Sequence, residues 1–258
     1  MPTKTYFITG ANRGIGKELV KQLLTNPENR VIATCRRTDA IPELQVTKNP
    51  NLVILRLDYS DTNTLINLAT ELERLQWAID VFIANAALNT AKHGVLDSSP
   101  EEYQQFFKVN TIGPIETLKV LKPFMMKSNT RKVIFKSSIL GSINGFPDVL
   151  AQAYPCAPYS VSKASLNMIT KLLSYELAKD GFVVVSYHPG MINTKAKETN
   201  DDISAKPDFK PDVNFIKIVS REALSIEDGV KKELDIINGL TKEDSGKFIS
   251  HTGEEIDF

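Results

Sequence analysis

Cysteine is scarce in this chain, with Cys35 and Cys156 the only two among 258 residues. Two cysteines cannot build a disulfide framework. Cys35 falls in a buried strand pattern and Cys156 in a loop, so both read as free thiols, which suits a reducing, cytoplasmic setting. Histidine is nearly as rare: His93, His188 and His251 are scattered, no spacing among them suits a metal ion, and no metal site is expected. Neither sign of charge is in excess. Lys and Arg together number 31, as do Asp and Glu, which argues against a nucleic-acid or anionic-membrane partner. No apolar run approaches the roughly 20 residues needed to cross a bilayer. The opening MPTKTYFITG enters a strand pattern almost at once and leaves no room for a signal peptide, and the closing Ile256-Asp257-Phe258 is not a peroxisomal address. Repeats, low-complexity tracts and linkers are missing too. What is present is the composition of a soluble globular protein, at a length that one α/β domain holds.

Short apolar, β-rich runs alternate with helical patterns. The strand candidates are Thr5–Thr9, Val31–Cys35, Leu52–Leu57, Val81–Ala84, Lys132–Ser137, Val183–His188 and Lys247–Ile249. Most are continuous apolar runs, as in parallel strands covered on both faces. Helical periodicity marks Gly14–Leu24, Thr62–Leu75, Pro100–Lys127, Tyr159–Lys179 and Ile226–Asn238. The pattern predicts an α/β fold: a single doubly wound parallel sheet of seven strands, of the Rossmann type, with helices on both faces and residues 1–258 forming one domain. One stretch breaks the rhythm. Residues 193–220 are polar, contain Pro207 and Pro211, and have no clear period. They read as a lid over a binding site or, alternatively, as a surface loop.

The first strand runs into Thr9–Gly16 (TGANRGIG) and then a helix. Gly10, Gly14 and Gly16 allow a tight turn and a close backbone approach, and the helix start offers free N–H donors to a pyrophosphate. A glycine pattern alone is weak, but the strand before it and the helix after it are what a dinucleotide turn requires. Asn12, Arg13 and Ile15 share that turn. At the end of the second strand an acid would bond a ribose 2′-hydroxyl, whereas a cation would pair with a 2′-phosphate. The chain reads Thr34-Cys35-Arg36-Arg37, with no carboxylate before Asp39. NADP(H) is therefore favoured through Arg36, with NAD(H) possible if Asp39 neutralises an arginine or both arginines are merely solvated. Tyr159 and Lys163 stand i and i+4 on one helix face. A phenol ordinarily titrates near 10, and a neighbouring ammonium lowers that value toward neutrality, where it can give and take a proton.

Together with Asn85-Ala86-Ala87, Asn110, Ser138 and Pro189–Thr194, these segments resemble the short-chain dehydrogenase/reductase family from end to end. The resemblance implies hydride transfer between a nicotinamide cofactor and a carbonyl or alcohol. It assigns Tyr159 as acid/base, Ser138 of Ser137-Ser138-Ile139-Leu140-Gly141 as the group that orients the substrate oxygen, and Lys163 as tuner of Tyr159 and holder of the nicotinamide ribose. Asn110 would support a water-linked proton relay. Arg13 would join Arg36 on the 2′-phosphate, as in NADPH-using relatives. Asp58 resembles the adenine-binding acid, although a turn-forming role accounts for it equally, and Asn85 stands near the nicotinamide ribose. Pro189, backbone of Ile192, and the Thr194 hydroxyl would hold the nicotinamide carboxamide.

The chain departs from the family pattern in two places. Ala87 stands where the family has glycine, which is tolerable at negative φ. Ser138 and Tyr159 are 21 residues apart, a longer spacing than usual, and residues 142–158 hold three prolines. Such a loop resembles those of the carbonyl-reductase, sniffer and fungal ketoreductase branches. Leu88, Phe146, Leu150, Tyr154, Met191 and Phe215 are candidate walls of an apolar pocket, with plain packing the alternative for each. The expected activity is NADPH-dependent reduction of small apolar aldehydes or ketones. An NAD-dependent alcohol dehydrogenase and a dinucleotide sensor without turnover are the alternatives. The small-molecule carbonyl substrate is the expected partner. Relatives pair through long helices, where Leu118, Val120, Leu121, Leu172 and Leu173 could serve a homodimer or homotetramer, with core packing an equal explanation for them; a monomer is also open.

Overall fold

The structure is a computed structural model that describes residues 4–40, 49–89, 93–147, 156–192 and 223–258. Seven strands form one sheet: β1 (Lys4–Thr9), β2 (Asn29–Cys35), β3 (Leu52–Arg56), β4 (Val81–Ala84), β5 (Lys132–Lys136), β6 (Val183–His188) and β7 (Phe248–Ser250). Their order is β3-β2-β1-β4-β5-β6-β7, and every neighbouring pair is parallel. The doubly wound architecture expected from the alternation is therefore present. The order reverses beside β1, where β2 lies on one side and β4 on the other, and that reversal opens a crevice at the carboxyl ends of the strands.

Side chains alternate across the sheet and divide the core in two. On one face Tyr6, Ile8, Val31, Ile83, Ile134 and Val185 pack under helices α1 (Gly14–Leu23) and α6 (Ile226–Gly239). On the other, Phe7, Ile32, Phe82, Val133, Phe135 and Val184 pack under α2 (Asn63–Leu75), α4 (Gly113–Met125) and α5 (Ala157–Glu176). In α1 the buried Gly16, Leu19, Val20 and Leu23 form the stripe that the periodicity predicted. Phe7, Phe82 and Phe135 meet edge to face along the middle of the sheet. Leu118 and Leu121, weighed as interface residues, belong to this core, whereas Leu172 is exposed on α5 beside Met168 and Tyr175.

The sequence pattern suggested one helix over Pro100–Lys127, and here the structure differs. Helix α3 (Pro100–Phe107) ends in a π-helical turn, Lys108–Ile112, before α4 begins. Pro114 explains the change, because it has no N–H to return to the Asn110 carbonyl four residues back. The Gly113 N–H instead reaches five residues back, to Lys108 O. The extra residue turns Asn110 inward.

Helix α3 starts with a complete capping box. Ser99 Oγ accepts from Glu102 N at 3.2 Å, and Glu102 Oε2 accepts from Ser99 N at 3.0 Å. The same carboxylate holds His93 Nδ1 at 2.9 Å, so one acid fixes both the helix start and the loop before it. Ser99→Ala should lower stability by about 1 kcal/mol, read as an earlier urea midpoint at unchanged slope.

Candidate functional site

Every candidate residue within the described segments stands at or beyond the carboxyl edge of the sheet, or on α5 and the π-helical turn packed against it. At the end of β1 the chain turns through Gly10, φ 67°, and Gly14, φ 54°. Gly16 is required by proximity: a Cβ there would lie 2.3 Å from Gly10 O and 2.6 Å from Asn85 Nδ2. Asn85 Nδ2 donates to the carbonyls of Thr9 and Gly10, at 3.0 and 3.1 Å, so Asn85 ties β4 to the turn. Helix α1 then begins without a capping side chain at Arg13 and without an acid in its first turn. Helices α3 and α6, by contrast, are both capped by serine. The first N–H groups of α1 therefore lack a side-chain acceptor from their cap, as a helix start that binds phosphate would. These features fit a dinucleotide pyrophosphate. Ala87 has a negative φ, so its methyl is accommodated where the family pattern has glycine.

The ends of β2 and β3 lie side by side. Asp39 pairs with Arg37, Nε to Oδ1 at 3.3 Å, and so does not neutralise Arg36. Arg36 is exposed at the rim, and its backbone carbonyl accepts from Arg56 Nε. Asp58 forms a turn: its Oδ1 accepts from Ser60 N and Ser60 Oγ at 2.9 and 2.6 Å. Burial works to raise this carboxyl, but the bonds from Ser60 and the charges of Arg36 and Arg56 outweigh it and hold the group below its usual value. Tyr59, the next residue, is structural. A Cβ on Gly113 would lie 2.5 Å from the Tyr59 ring, and its hydroxyl accepts from Thr117 Oγ1 at 3.2 Å.

On the other side of β1 stand Asn110, Ser138, Tyr159 and Lys163, all buried. Ser137 and Ser138 part company here. Ser137 Oγ donates to Asn167 Oδ1 of α5 at 2.6 Å, which spends its proton on the scaffold. Ser138 Oγ accepts from Leu140 N at 3.2 Å and keeps its own proton for another acceptor. On α5, Lys163 Nζ lies 5.6 Å from the centre of the Tyr159 ring and donates to Lys136 O at 2.6 Å. Burial, with the Lys136 charge behind it, brings the Lys163 ammonium down to about 7. Gly141 lets the turn after Ser138 press on α5, since a Cβ there would lie 2.6 Å from Lys163 Cβ.

Asn110 is fully engaged. Its Oδ1 accepts from Leu88 N at 2.7 Å, and its Nδ2 donates to Leu88 O and Ser162 Oγ, each at 3.0 Å. Ser162 Oγ in turn donates to Tyr159 O at 2.7 Å, and Thr111 Oγ1 donates to Ser162 O at 2.9 Å. Ser162 thus joins the π-helical turn to the helix of Tyr159. Sequence reasoning passed over it, although it lies between Tyr159 and Lys163 in Tyr-Ser-Val-Ser-Lys. Phe106, Cys156 and Tyr159 pack together with Leu88 and Leu140, which makes the surroundings of the phenol apolar. Burial pushes the Cys156 thiol up and Cys35 up to about 11, so both remain protonated at neutral pH.

His188, at the end of β6, also went unassigned. Its Nδ1 accepts from Ile139 N at 3.3 Å, directly after Ser138, and Pro189 and Gly190 follow it. Met191 O accepts from Leu224 N at 2.9 Å, and Ile192 bridges Leu224. Thr194, the 193–220 segment, and the wall candidates Leu150, Tyr154 and Phe215 lie outside the described residues.

A short chain dehydrogenase family model matches residues 4–204. An uncharacterized oxidoreductase of Saccharomyces cerevisiae is 34% identical over 97% of this chain and 96% of its own. A short chain dehydrogenase of Penicillium aethiopicum is 29% identical over 98% of each. Among solved structures, the NADPH-bound carbonyl reductase from chicken fatty liver is 27% identical, with a TM-score of 0.84 and full coverage of both chains. The carbonyl reductase Sniffer of D. melanogaster is 26% identical, with a TM-score of 0.82, over 99% of this chain and all of its own.

His188 supplies a pH dependence. Burial, then the neighbouring His251 and Lys136 charges, lower it from 6.5 to about 4. Its neutral form is thus favoured in the folded state. Its contribution is complete above about 6.5 and is lost as pH falls from there toward about 4. Thermal melts across that range should show this loss, and His188→Asn should flatten the dependence.

Proposed function

The chain belongs to the short chain dehydrogenase family, and we propose that this oxidoreductase is an NADPH-preferring carbonyl reductase acting on small apolar aldehydes or ketones. One observation carries the reading. A phenol and a buried ammonium share one face of α5, and the ammonium is bonded to the last carbonyl of β5, two residues before Ser138.

The dinucleotide, when bound, supplies the hydride that the carbonyl carbon receives. Gly10, Gly14, Gly16 and the uncapped start of α1 would hold its pyrophosphate, with Asn12, Arg13 and Ile15 in the same turn. Arg36, with Arg13, would pair with the 2′-phosphate, Asp58 would face the adenine, and Pro189, Ile192 and Thr194 would border the nicotinamide. Ser138 gives a hydrogen bond to the substrate oxygen and fixes its direction. Tyr159 gives that oxygen its proton as the carbon takes the hydride, so the C=O double bond becomes CH–OH and the phenol becomes phenolate. Lys163 stabilises the phenolate by its charge and lowers the energy of the transfer. Asn110 keeps α5 and the Leu88 loop in register for it. The apolar side chains Phe106, Leu88 and Leu140 around Tyr159 favour substrates with apolar substituents and weaken competing hydration.

NADPH consumption should be followed at 340 nm against aliphatic and aromatic aldehydes, diketones and quinones. Tyr159→Phe should lower kcat by about a thousandfold or more, because general acid catalysis contributes that much, and leave NADPH binding nearly unchanged. Substantial turnover in that variant would remove Tyr159 from the role given to it. Arg36→Asp should raise KM for NADPH by about tenfold while improving use of NADH, the loss expected for one charge-assisted contact. A preference for NADH in the unaltered protein would overturn the coenzyme assignment and leave the Ser138, Tyr159 and Lys163 roles standing.

A further inference from the structure

Behind Lys163 lies a cluster of charge that hydride transfer, as described, does not use. Side chains of β5 alternate, so Val133 and Phe135 face the α4 and α5 core, while Ile134 and Lys136 face the α1 and α6 core. Lys136 thereby puts an ammonium into a layer otherwise filled by residues such as Ile134, Val185, Val230 and Ile237. There its Nζ donates to Glu233 Oε2 of α6, with both residues buried, and stands 4.8 Å from the centre of the Tyr187 ring. The other oxygen of Glu233 and the Tyr187 hydroxyl are buried without a hydrogen-bond partner. Burial drives the Lys136 ammonium below the ordinary lysine range despite Glu233, and drives the Tyr187 hydroxyl up. Apolar residues of similar volume would pack these elements together as well or better, because desolvation of a buried pair offsets its attraction. Each orphaned polar atom costs further stability. The fold alone gives no reason for the pair.

The neighbouring site does. Lys163 Nζ donates to the carbonyl of Lys136, so the residue that carries the buried pair also carries the ammonium. Among the described residues, the groups around Lys163 are few. Its own helix offers Tyr159, the π-helical turn the uncharged Asn110, and the turn after β5 the uncharged Gly141. Strand β6 brings Tyr187 and His188, the latter neutral above about 4, and α6 brings Glu233 through Lys136. Lys136 is the one lysine or arginine among these, and it is held by the Glu233 carboxylate.

We propose that Lys136 and Glu233 are positioning residues for this site: the last carbonyl of β5 carries Lys163, and the charge pair behind it sets the pH window in which that ammonium supports Tyr159. The proposal rests on the roles of Tyr159 and Lys163 given under the proposed function. Glu233 keeps Lys136 charged and in place. The Lys136 charge disfavours a second proton on Lys163, so Lys163 gives up its proton at lower pH than burial alone would require. Removing both charges should let Lys163 hold its proton to higher pH.

The test compares the full chain with the double variant Lys136→Met/Glu233→Leu, which removes both charges and keeps the core filled. Carbon NMR of lysine labelled at Cε follows the lysine that titrates near neutrality, identified by its loss in Lys163→Met. Its midpoint should rise in the double variant by on the order of one pH unit. An unmoved midpoint overturns the proposal whether or not any carbonyl is reduced. The alkaline limb of kcat/KM should move the same way. A fall in rate at every pH without displacement of that limb is the mark of a merely structural pair, and also overturns it. If the double variant does not fold, Lys136→Gln/Glu233→Gln, whose amides can bond each other, carries the same two measurements. Retained turnover in Tyr159→Phe would instead remove the reading on which the roles rest, and would leave the NMR result as it stands.

Discussion

A buried ammonium must be given an acceptor, and the Lys136 carbonyl gives one to Lys163 at 2.6 Å. Much of the site hangs on that bond. It locks α5 against the end of β5 and so sets the height of Tyr159 over the sheet. Asn167 Nδ2 donates to Gly141 O at 3.1 Å, and Ser137 Oγ donates to Asn167 Oδ1, so the strand end is stitched to the helix one turn further along. With Ser137 engaged, Ser138 is the serine of the pair whose proton is left to spend. Phe106, Cys156 and Leu140 pack around Tyr159 and make its surroundings apolar. A charge in such surroundings is screened less than one in water.

The opposite half of the crevice obeys a different constraint, the closeness of two backbones. β1 must turn into α1 within a few residues, while β4 passes beside the turn. A side chain at Gly16 would fill the space that Gly10 O and Asn85 occupy. Thr9, Asn85 and Ala86 close this arrangement by hydrogen bonds that bind the turn to β4. An uncapped α1 costs some stability, and a phosphate bound at its N-terminus would offset that cost. The start of α1, without a capping side chain, has this in common with the buried Lys136 and Glu233 pair. In both places the chain keeps a feature that packing alone would discard.

The sheet, its seven strands and their parallel sense were legible because the strands are short apolar runs, most of them separated from the next by a helix-period segment. Ser138, Tyr159 and Lys163 stood out as candidates because their types and spacing are chemically unusual together. Other features were harder. The continuous helical pattern over Pro100–Lys127 hides a π-helical turn, since one proline shifts a hydrogen bond without disturbing the apolar stripe. Ser162 resembles any small polar residue on a helix until its partner Asn110, 52 positions away in the chain, arrives beside it. Lys136 stood in plain view as a lysine at an inward position of Val-Ile-Phe-Lys. Its meaning depended on Glu233, 97 positions away. Asp39 could have neutralised either arginine, and local geometry decided for Arg37.

By itself, the sequence determined the alternation of strand and helix, the place of the glycine turn, and the i, i+4 pairing of phenol and ammonium. These are properties of hydrophobic period, glycine conformation and helix pitch, all of which act over a few residues. The tertiary structure alone decided which carbonyl receives Lys163, which serine keeps its proton, which arginine escapes Asp39, and that His188 is buried neutral against Ile139. Those outcomes depend on hydrogen-bond partners and desolvation supplied by segments far apart in the chain, and neither exists until the sheet has assembled.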